Sequence, residues 1–394
     1  MVAGAPERTL LVLGAGPAQL GLLEAAKSAG IWTAVCDRDP SAPGFAYADR
    51  RCIVSTDDEA AIDRLASALP LDGVIAPGTD TPIAVAARVA AKIGLPHPIS
   101  PQTALLATNN ARRREALAEA GVPQPRWQVV SSPGEVELPF PLVVKPADRG
   151  GRAGLAYVRR PAGLESAFAQ ARRASRSGAV LVEEYVEGPE VSVTGFSAGG
   201  DFVALAVCDR LPAEEELAPP EGQVWPSSHA GTAAEVTRRA VEALGIEDGP
   251  SLTRLRISRG GPEVIEVAAR LGGGHETELV ELVAGVDPAG LALAAALGQP
   301  IAASEIAVRS PVIGGAAVRF LSAPPGKLES VEVPQALNGV VSTRLYREPG
   351  FEFAGTERAG AVLAAGATRE ESLARADAAV ERVRLVTAGA EAMV

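Results

Sequence analysis

Three stretches of this 394-residue chain gather side chains that could bind anions, cations or a heterocycle on short spacings. In PLVVKPADRGGRAGLAYV, residues 141–158, Lys145 closes an apolar run. A lysine there is costly unless its ammonium meets an anion or reaches water. Asp148, Gly150, Gly151 and Gly154 follow at once, giving a segment with free backbone N–H groups and little bulk. Such a strand–loop–strand flap can close over phosphates while Lys145 neutralises their charge. The same residues also suit a plain hairpin turn with a snorkelling lysine. In VEEYVEGPE, Glu183 and Glu184 end an apolar strand, and Glu190 comes seven residues after Glu183. Adenine needs an acceptor for its amine and a backbone donor for N1, while ribose hydroxyls suit a carboxylate. Glu183, the backbone at Val186 and Glu190 could fill those roles, or the run is a solvated acidic surface. In EVIEVAARLGGG, Glu266 and Arg270 lie four apart, which on one strand is the same face. Glu266 could take Mg²⁺ and Arg270 a phosphate, with a structural ion pair as the plainer alternative. Glycines after Arg270 would let a ligand approach closely.

The elements that must position these residues begin with an alternation of apolar runs and helical patterns over the first hundred residues. That pattern fits parallel strands buried on both faces and covered by helices. LLVLGAGPAQLG, residues 10–21, opens this doubly wound unit and invites a dinucleotide reading, with Asp37 at the distance of a ribose carboxylate. Gln19 stands where G-x-G-x-x-G needs its third glycine, so the segment supports a strand–turn–helix start and argues weakly for a dinucleotide. The turn APGTD, residues 76–80, lies at a similar sheet edge. A helix over NNARRREALAEAG stops at Gly121, and its run Arg112-Arg113-Arg114 reads as a solvated face. Residues 207–234, rich in Pro, Glu and Ser, read as an irregular surface excursion. TRLRIS and EVIEVAAR pair as a hairpin around Arg259-Gly260-Gly261. One helix is expected from Glu276 through Leu297, then further strands from about Pro311 and a last helix in REESLARADAAVERVRLV.

A formal net charge of −11 excludes an overall basic field for nucleic acid or an anionic membrane. Cys36, Cys52 and Cys208 have neither metal-type spacing nor a disulfide framework. MVAGAPERTL lacks the basic and apolar regions of a leader, and no run approaches 18 uninterrupted apolar residues, so the expectation is a cytoplasmic protein.

Taken together and in this order, the three stretches resemble the ATP-grasp ligases. The likeness is to the branch of carbamoyl-phosphate-synthase-like architecture that includes the L-amino acid ligases. It runs essentially the length of the chain, from LVLGAGPAQLGLLEAAKSAG, DRDPSAPGFAYAD and DGVIAPGTD through VVKPADRGGRAG, VEEYVEGPE and IEVAARLGGG to AGAVLAAGATREESLARAD. The resemblance implies an α/β protein, α+β in the grasp. It would have a doubly wound pre-ATP-grasp domain over 1–105, a two-lobed ATP-grasp domain over 106–300 with its lid lobe at about 120–185, and a small closing domain over 301–394. The implied activity is ATP-dependent joining of a carboxylate to an amine through an acyl-phosphate. The alternative is a degenerate ATP-grasp protein that binds nucleotide or another ligand without joining anything.

Carried onto matching positions, the resemblance assigns ATP to Lys145, Asp148, Gly150, Gly151, Gly154, Glu183, Glu184, Val186 and Glu190. It assigns Mg²⁺ to Glu266 and the reacting carboxyl or acyl-phosphate to Arg270, with Lys145 and Arg270 as the catalytic pair. Gly273, Gly274, His275, Arg254 and Arg319 are candidates for the substrate side, His275 alternatively as a helix cap. The implied partners are small carboxylates and amines, amino acids first, with room for a homodimer and none for nucleic acid or membrane. Three positions depart from the family pattern. Asn110 stands where a phosphate-binding lysine is usual; Arg112 or Arg113 could substitute, although helical spacing is expected to turn them away from residue 110. Arg254 stands where a magnesium-binding glutamate is usual, and Ala268 where many members have asparagine. Arg254 could replace one metal's charge at the phosphates, or a single Mg²⁺ could use a shifted ligand such as Glu263.

Overall fold

The computed structural model describes residues 8–309, 312–334 and 337–388. Met1–Glu7, on which most of the leader reading rests, lie outside the described residues. Strands β1 (Thr9–Leu13), β2 (Trp32–Asp37), β3 (Arg50–Ile53) and β4 (Gly73–Ile75) form a parallel sheet in the order β3-β2-β1-β4. β1 is buried at every position, as befits a parallel strand covered on both faces. Helix α1 (Leu20–Ser28) links β1 to β2, α2 (Glu59–Ala68) links β3 to β4, and α3 (Thr81–Ile93) follows β4. The glycine turn after β1 is already filled from within. The Gln19 side-chain amide donates to the Pro77 carbonyl, and a Cβ on Gly14 would lie 3.0 Å from Gln19 Cδ. Asp37, the would-be ribose carboxylate, instead accepts the Ala15 N–H at 2.8 Å. The dinucleotide reading therefore fails on both residues.

Helices α4 (Pro101–Thr108) and α5 (Asn110–Glu119) follow, capped by the Ser100 hydroxyl and the Asn109 side chain, which accept from Thr103 and Arg112 N–H. Gly121 takes a left-handed φ of 62° just past α5. The lid lobe comprises β5 (Trp127–Val130), β6 (Leu142–Pro146), β7 (Ala156–Val158), α6 (Leu164–Ala174) and β8 (Val180–Glu184). Its antiparallel sheet has the order β5-β8-β6-β7, and Phe168 and Ala171 of α6 pack on Leu142, Val144 and Val180.

Next come β9 (Glu190–Ala198), β10 (Asp201–Leu211), β11 (Gly222–Trp225), α7 (Ala230–Ala243), β12 (Gly249–Ser258) and β13 (Gly261–Ala268). They are followed by α8 (Glu276–Ala284), α9 (Pro288–Ala296), β14 (Gly315–Ala323), β15 (Gly326–Glu332), β16 (Val340–Leu345), β17 (Glu352–Phe353), β18 (Glu357–Gly366), α10 (Arg369–Arg382) and β19 (Arg384–Thr387). One sheet runs β13-β12-β9-β10-β11-β14-β18-β16, and β17-β15-β19 form a small second one.

Three expectations are corrected here. Residues 207–234 are not one excursion: β10 continues to Leu211 and β11 occupies Gly222–Trp225, so the irregular composition belongs to the short segment between them. The helix expected over 276–297 breaks into two at an angle of 113°. Gly285 adopts φ 63°, and the Asp287 carboxylate caps α9 through the Gly290 N–H with Pro288 in the first turn. The boundary at 300 does not divide hydrogen-bonded units either, because β14 pairs with β11, Ala317 opposite Val224. Among the described residues no single helix is long and apolar enough to cross a membrane.

Candidate active site

A cavity of about 320 Å³ lies between the lid sheet and the large sheet. Gly78 and Asp80 of the first domain border it, as do Phe320 of β14 and Arg358 of β18. Eight lysine and arginine residues line it against five carboxylates, an excess of three positive charges. A chain of net charge −11 thus concentrates cations in one place, which is the requirement for holding a polyanion.

Lys145 ends β6 with its Nζ 2.9 Å from Glu183 Oε1. Glu183, 2 % exposed on β8, also accepts from Arg114 Nε at 2.7 Å. Burial would raise the Glu183 pKa, but Arg114 and Lys145 outweigh it and hold the carboxyl to about 2. For Lys145 burial dominates and is opposed by Glu183. With repulsion from Arg114 and Arg113 added, its pKa falls to about 8. Lys145 is therefore still mostly protonated at neutral pH but loses its charge far sooner than a free lysine.

Arg114 explains how the two lobes meet here. From α5 it also donates to the carbonyls of Val264 at 2.7 Å and Ile265 at 3.0 Å on β13, and to Gln124 at 3.2 Å. The basic run is thus the reverse of a solvated face: Arg113 and Arg114 are 1 % and 0 % exposed, and only Arg112 faces solvent. Nor does Arg113 turn away from residue 110, since a spacing of three on a helix is a neighbouring position. Asn110 accepts from the Arg113 guanidinium, donates to the carbonyls of Pro146 at 2.9 Å and Arg149 at 2.6 Å, and lines the cavity beside Arg113. The cation missing at 110 is supplied one turn later, and Asn110 secures the base of the lid loop.

The lid residues divide. Gly151 lines the cavity at φ 84°. Gly154 serves packing, because at φ 75° a Cβ there would come 2.8 Å from Ala174 Cβ on α6. Gly150 lies close to the first domain, where a Cβ would sit 3.4 Å from Asp80 Cβ. Asp148 does not face the cavity: its carboxylate accepts from Ser175 Oγ and from Arg176 and Ser177 N–H, which ties the loop to the α6–β8 turn. Arg152, at the loop's tip, donates to the Leu217 carbonyl across the cavity mouth. After β8, the backbone of Glu184–Val186 borders the cavity, while the Glu184 carboxylate turns outward to Arg126. The Val186 N–H has no partner among the described residues. Arg256 stacks over Tyr185, 4.6 Å from its centroid.

Arg254 and Glu266 face each other across the β12–β13 hairpin, with Ile265 as an extra residue in the register. Arg254 Nη1 donates to Glu266 Oε2 at 3.0 Å and Nε to Glu190 Oε1 at 2.7 Å. Arg210 adds a second contact to Glu190 at 2.8 Å, so Glu190, expected to hold ribose, is committed to two arginines and lies outside the cavity lining. Burial would raise the Glu266 pKa; Arg254, Arg113, Arg270 and Lys145 hold it to about 2. Strand β13 ends at Ala268, so Arg270 is not on a strand face with Glu266, yet both line the cavity. Arg270 is itself paired with Asp80, 2.6 Å from Nη2. Glu263 pairs with Arg256 in register and borders a separate outer pocket, so it offers no shifted ligand.

On the substrate side, Gly273 and Gly274 line the cavity, and Gln223 anchors the Gly274 carbonyl at 2.9 Å. His275 and Arg319 do not line it. His275 occupies the cap position of α8 at φ 64° without a side-chain cap bond, and its Nε2 meets Tyr346 Oη at 2.8 Å. Arg319 is on the opposite face of β14 from Phe320 and pairs with Asp377 at 2.8 Å. Arg152, Arg210, Gln223, Phe320 and Arg358 border the site with no signal in the sequence, whereas the turn at 76–80 points to Asp80 and the spacing of α5 to Arg113.

Residues 138–278 match the family model described as the ATP-grasp domain. The chain carries an ATP-grasp domain. Residues 319–388 of this ATP-grasp protein match the L-amino acid ligase C-terminal domain 2. It is 26 % identical over 390 residues to a formate-dependent phosphoribosylglycinamide formyltransferase from Cronobacter sakazakii, covering 95 % of each chain. In fold it is similar to the L-amino acid ligase from Bacillus licheniformis, with a TM-score of 0.82 at 22 % identity over 98 % of this chain and 100 % of that one. The biotin carboxylase domain of the 2-oxoglutarate carboxylase of Hydrogenobacter thermophilus, solved with MgADP, ADP and bicarbonate, gives 0.81 at 19 % identity, over 96 % and 91 %.

Mg²⁺ binds this fold in that relative, but the residues here do not fit it. Both carboxylates that could converge on an ion, Glu190 and Glu266, are bonded to the Arg254 guanidinium. Among the described residues no group of three or more His, Cys, Asp or Glu is placed to hold a metal. A guanidinium offers a cation no ligand and repels it.

Proposed function

We propose that this ATP-grasp protein joins a small carboxylate, an amino acid or dipeptide in the first instance, to an amine at the expense of ATP. One observation carries the reading: a single cavity contains a buried lysine under a glycine loop, a free backbone edge after β8, and a cluster of arginines beyond them. Adenine fits the Glu184–Val186 edge, where the Val186 N–H is available. The phosphates then extend toward Lys145 and Arg113 beneath Gly151. A substrate carboxylate at Arg270, Gly273 and Gly274 would attack the γ-phosphorus. The bond to the bridging oxygen breaks and ADP leaves, giving an acyl-phosphate. An amine nitrogen then attacks the acyl carbon, phosphate departs, and the amine's proton passes to solvent. Fixed cations around the transferring phosphoryl group supply the stabilisation such a step needs. Enclosure by the lid, held at Arg152 and Leu217, would keep water from the acyl-phosphate.

A second reading has its own support. Glu190 and Glu266 are both bonded to Arg254 and so withheld from a metal, which suits a protein that binds nucleotide without turning it over. ADP formation measured with pairs of L-amino acids separates the two. Release that depends on both substrates and is lost in Lys145→Ala supports the ligase. Tight ATP binding with no substrate-dependent release from any pair selects the second reading.

A further inference from the structure

We infer that Arg254 stands in for a divalent cation, making this cavity a triphosphate site that binds ATP without metal. The inference rests on the nucleotide reading above and concerns how that site is charged. β12 lies between β9 and β13, and Arg254 on β12 reaches Glu190 at the start of β9 on one side and Glu266 on β13 on the other. Two carboxylates closing on one point from opposite strands is an arrangement that holds a cation, and here the cation is a side chain at 2.7 and 3.0 Å. The two carboxylates take Nε and Nη1. Nη2 has no partner among the described residues, and Arg254 lines the cavity. The guanidinium is thus fixed by its bonds to the protein, with donors left over for a phosphate oxygen.

The charge balance agrees. An arginine differs from a carboxylate at the same position by two units, the charge of one Mg²⁺. With it, the lining carries its excess of three positive charges; a carboxylate at the same position would leave an excess of one, against the roughly four negative charges of ATP at neutral pH. Arg254 is also supported from behind, since Arg210 shares Glu190 with it and lies 3.9 Å from Glu276. Removing the guanidinium would leave Glu190 to Arg210 and expose Glu266 to the cavity.

Calorimetric titration of ATP into the full chain, in excess EDTA and in excess MgCl₂, tests this. Wild type is expected to bind ATP in both buffers with dissociation constants within about tenfold of each other. Arg254→Glu is expected to lose more than about tenfold in EDTA and regain it with Mg²⁺, and Arg254→Met to lose as much in both buffers. A wild-type requirement for Mg²⁺ greater than tenfold overturns the inference while leaving the nucleotide reading intact, and needs no variant to fold. Binding by Arg254→Met as tight as wild type in EDTA overturns it too. No ATP binding in either buffer overturns both readings together.

Discussion

Replacing Arg114 by methionine keeps an aliphatic stem of similar length and removes every donor that joins α5, β8 and β13. Removing one partner of a buried ion pair costs about 3–5 kcal/mol. The two orphaned carbonyls, Val264 and Ile265, add about 1–3 kcal/mol each where water cannot follow. Two effects act against this: Glu183 keeps Lys145 at 2.9 Å, and Lys145 is freed from repulsion by Arg114. A net loss of about 3–5 kcal/mol, set against an unfolding entropy scaled to this length, is a melting temperature lower by about 4–6 °C. The same substitution has a second, independent consequence. With Lys145 at about 8 in the wild type, ATP affinity should fall as the ammonium loses its proton above that pH, a bend separate from the one at about pH 6 where the terminal phosphate of ATP itself titrates. Because Arg114 lowers the Lys145 pKa, Arg114→Met should move the bend to higher pH. Thermal denaturation and ATP titration from pH 6 to 10 report both effects. A melting temperature within about 1 °C of wild type would refute the energetic argument. A bend that stays put or moves down would refute the electrostatic one.

Glu281 on α8 keeps an exposed side chain, yet partial desolvation against the helix, then Asp287, Glu278 and Glu24, push its pKa up to about 7. Its folded form keeps the proton to higher pH than the unfolded chain, so stability is lost as pH rises from about 4.5 to about 7. Glu281→Gln should therefore melt above wild type at pH 8 and close to it at pH 4.5, by differential scanning fluorimetry; the reverse order would contradict the assignment. Arg319→Ala should leave the KM for ATP and for amino acids within about twofold of wild type, as expected of a group off the cavity. Phe320→Ala, one residue on and facing it, should raise the KM of the amine or carboxylate partner.

The strand–helix alternation of the first domain, the flap after Lys145 and the β12–β13 hairpin were legible because each rests on local periodicity and turn residues. The break at Gly285 was equally local, since Gly-Val-Asp-Pro contains both a helix stop and a helix start. What hid it was the continuous apolar composition on either side. The joining of residues 315–366 to the large sheet could not be read at all, because pairing of β14 with β11 is a contact between distant segments that leaves no trace in either one. Asp148 and Glu190 were drawn toward the ligand by their place in a motif. Their partners, Ser175, Ser177, Arg210 and Arg254, are as remote in sequence as those strands are.

The run at 112–114 departs from a solvated face for a different reason, one that helical spacing makes plain. Successive helical residues are 100° apart, so three in a row cannot share one solvated face. The buried stripe of α5 is Asn110, Arg113, Arg114 and Leu117, which is the i, i+3, i+4, i+7 pattern of an amphipathic helix. Its periodicity is ordinary and only its chemistry is inverted, with polar side chains where apolar ones are expected. Such a stripe is affordable only where neighbouring elements supply enough acceptors. Here Ala107, Asn110, Glu183, Gln124, Val264 and Ile265 do so. A helix whose inward stripe is cationic, packed on a strand ending Glu183-Glu184 and a hairpin carrying Glu266, marks out a site by its charge before any ligand is considered. Arg254 follows the same logic on β12: the cations of this cavity are built into the chain and held in place by its carboxylates.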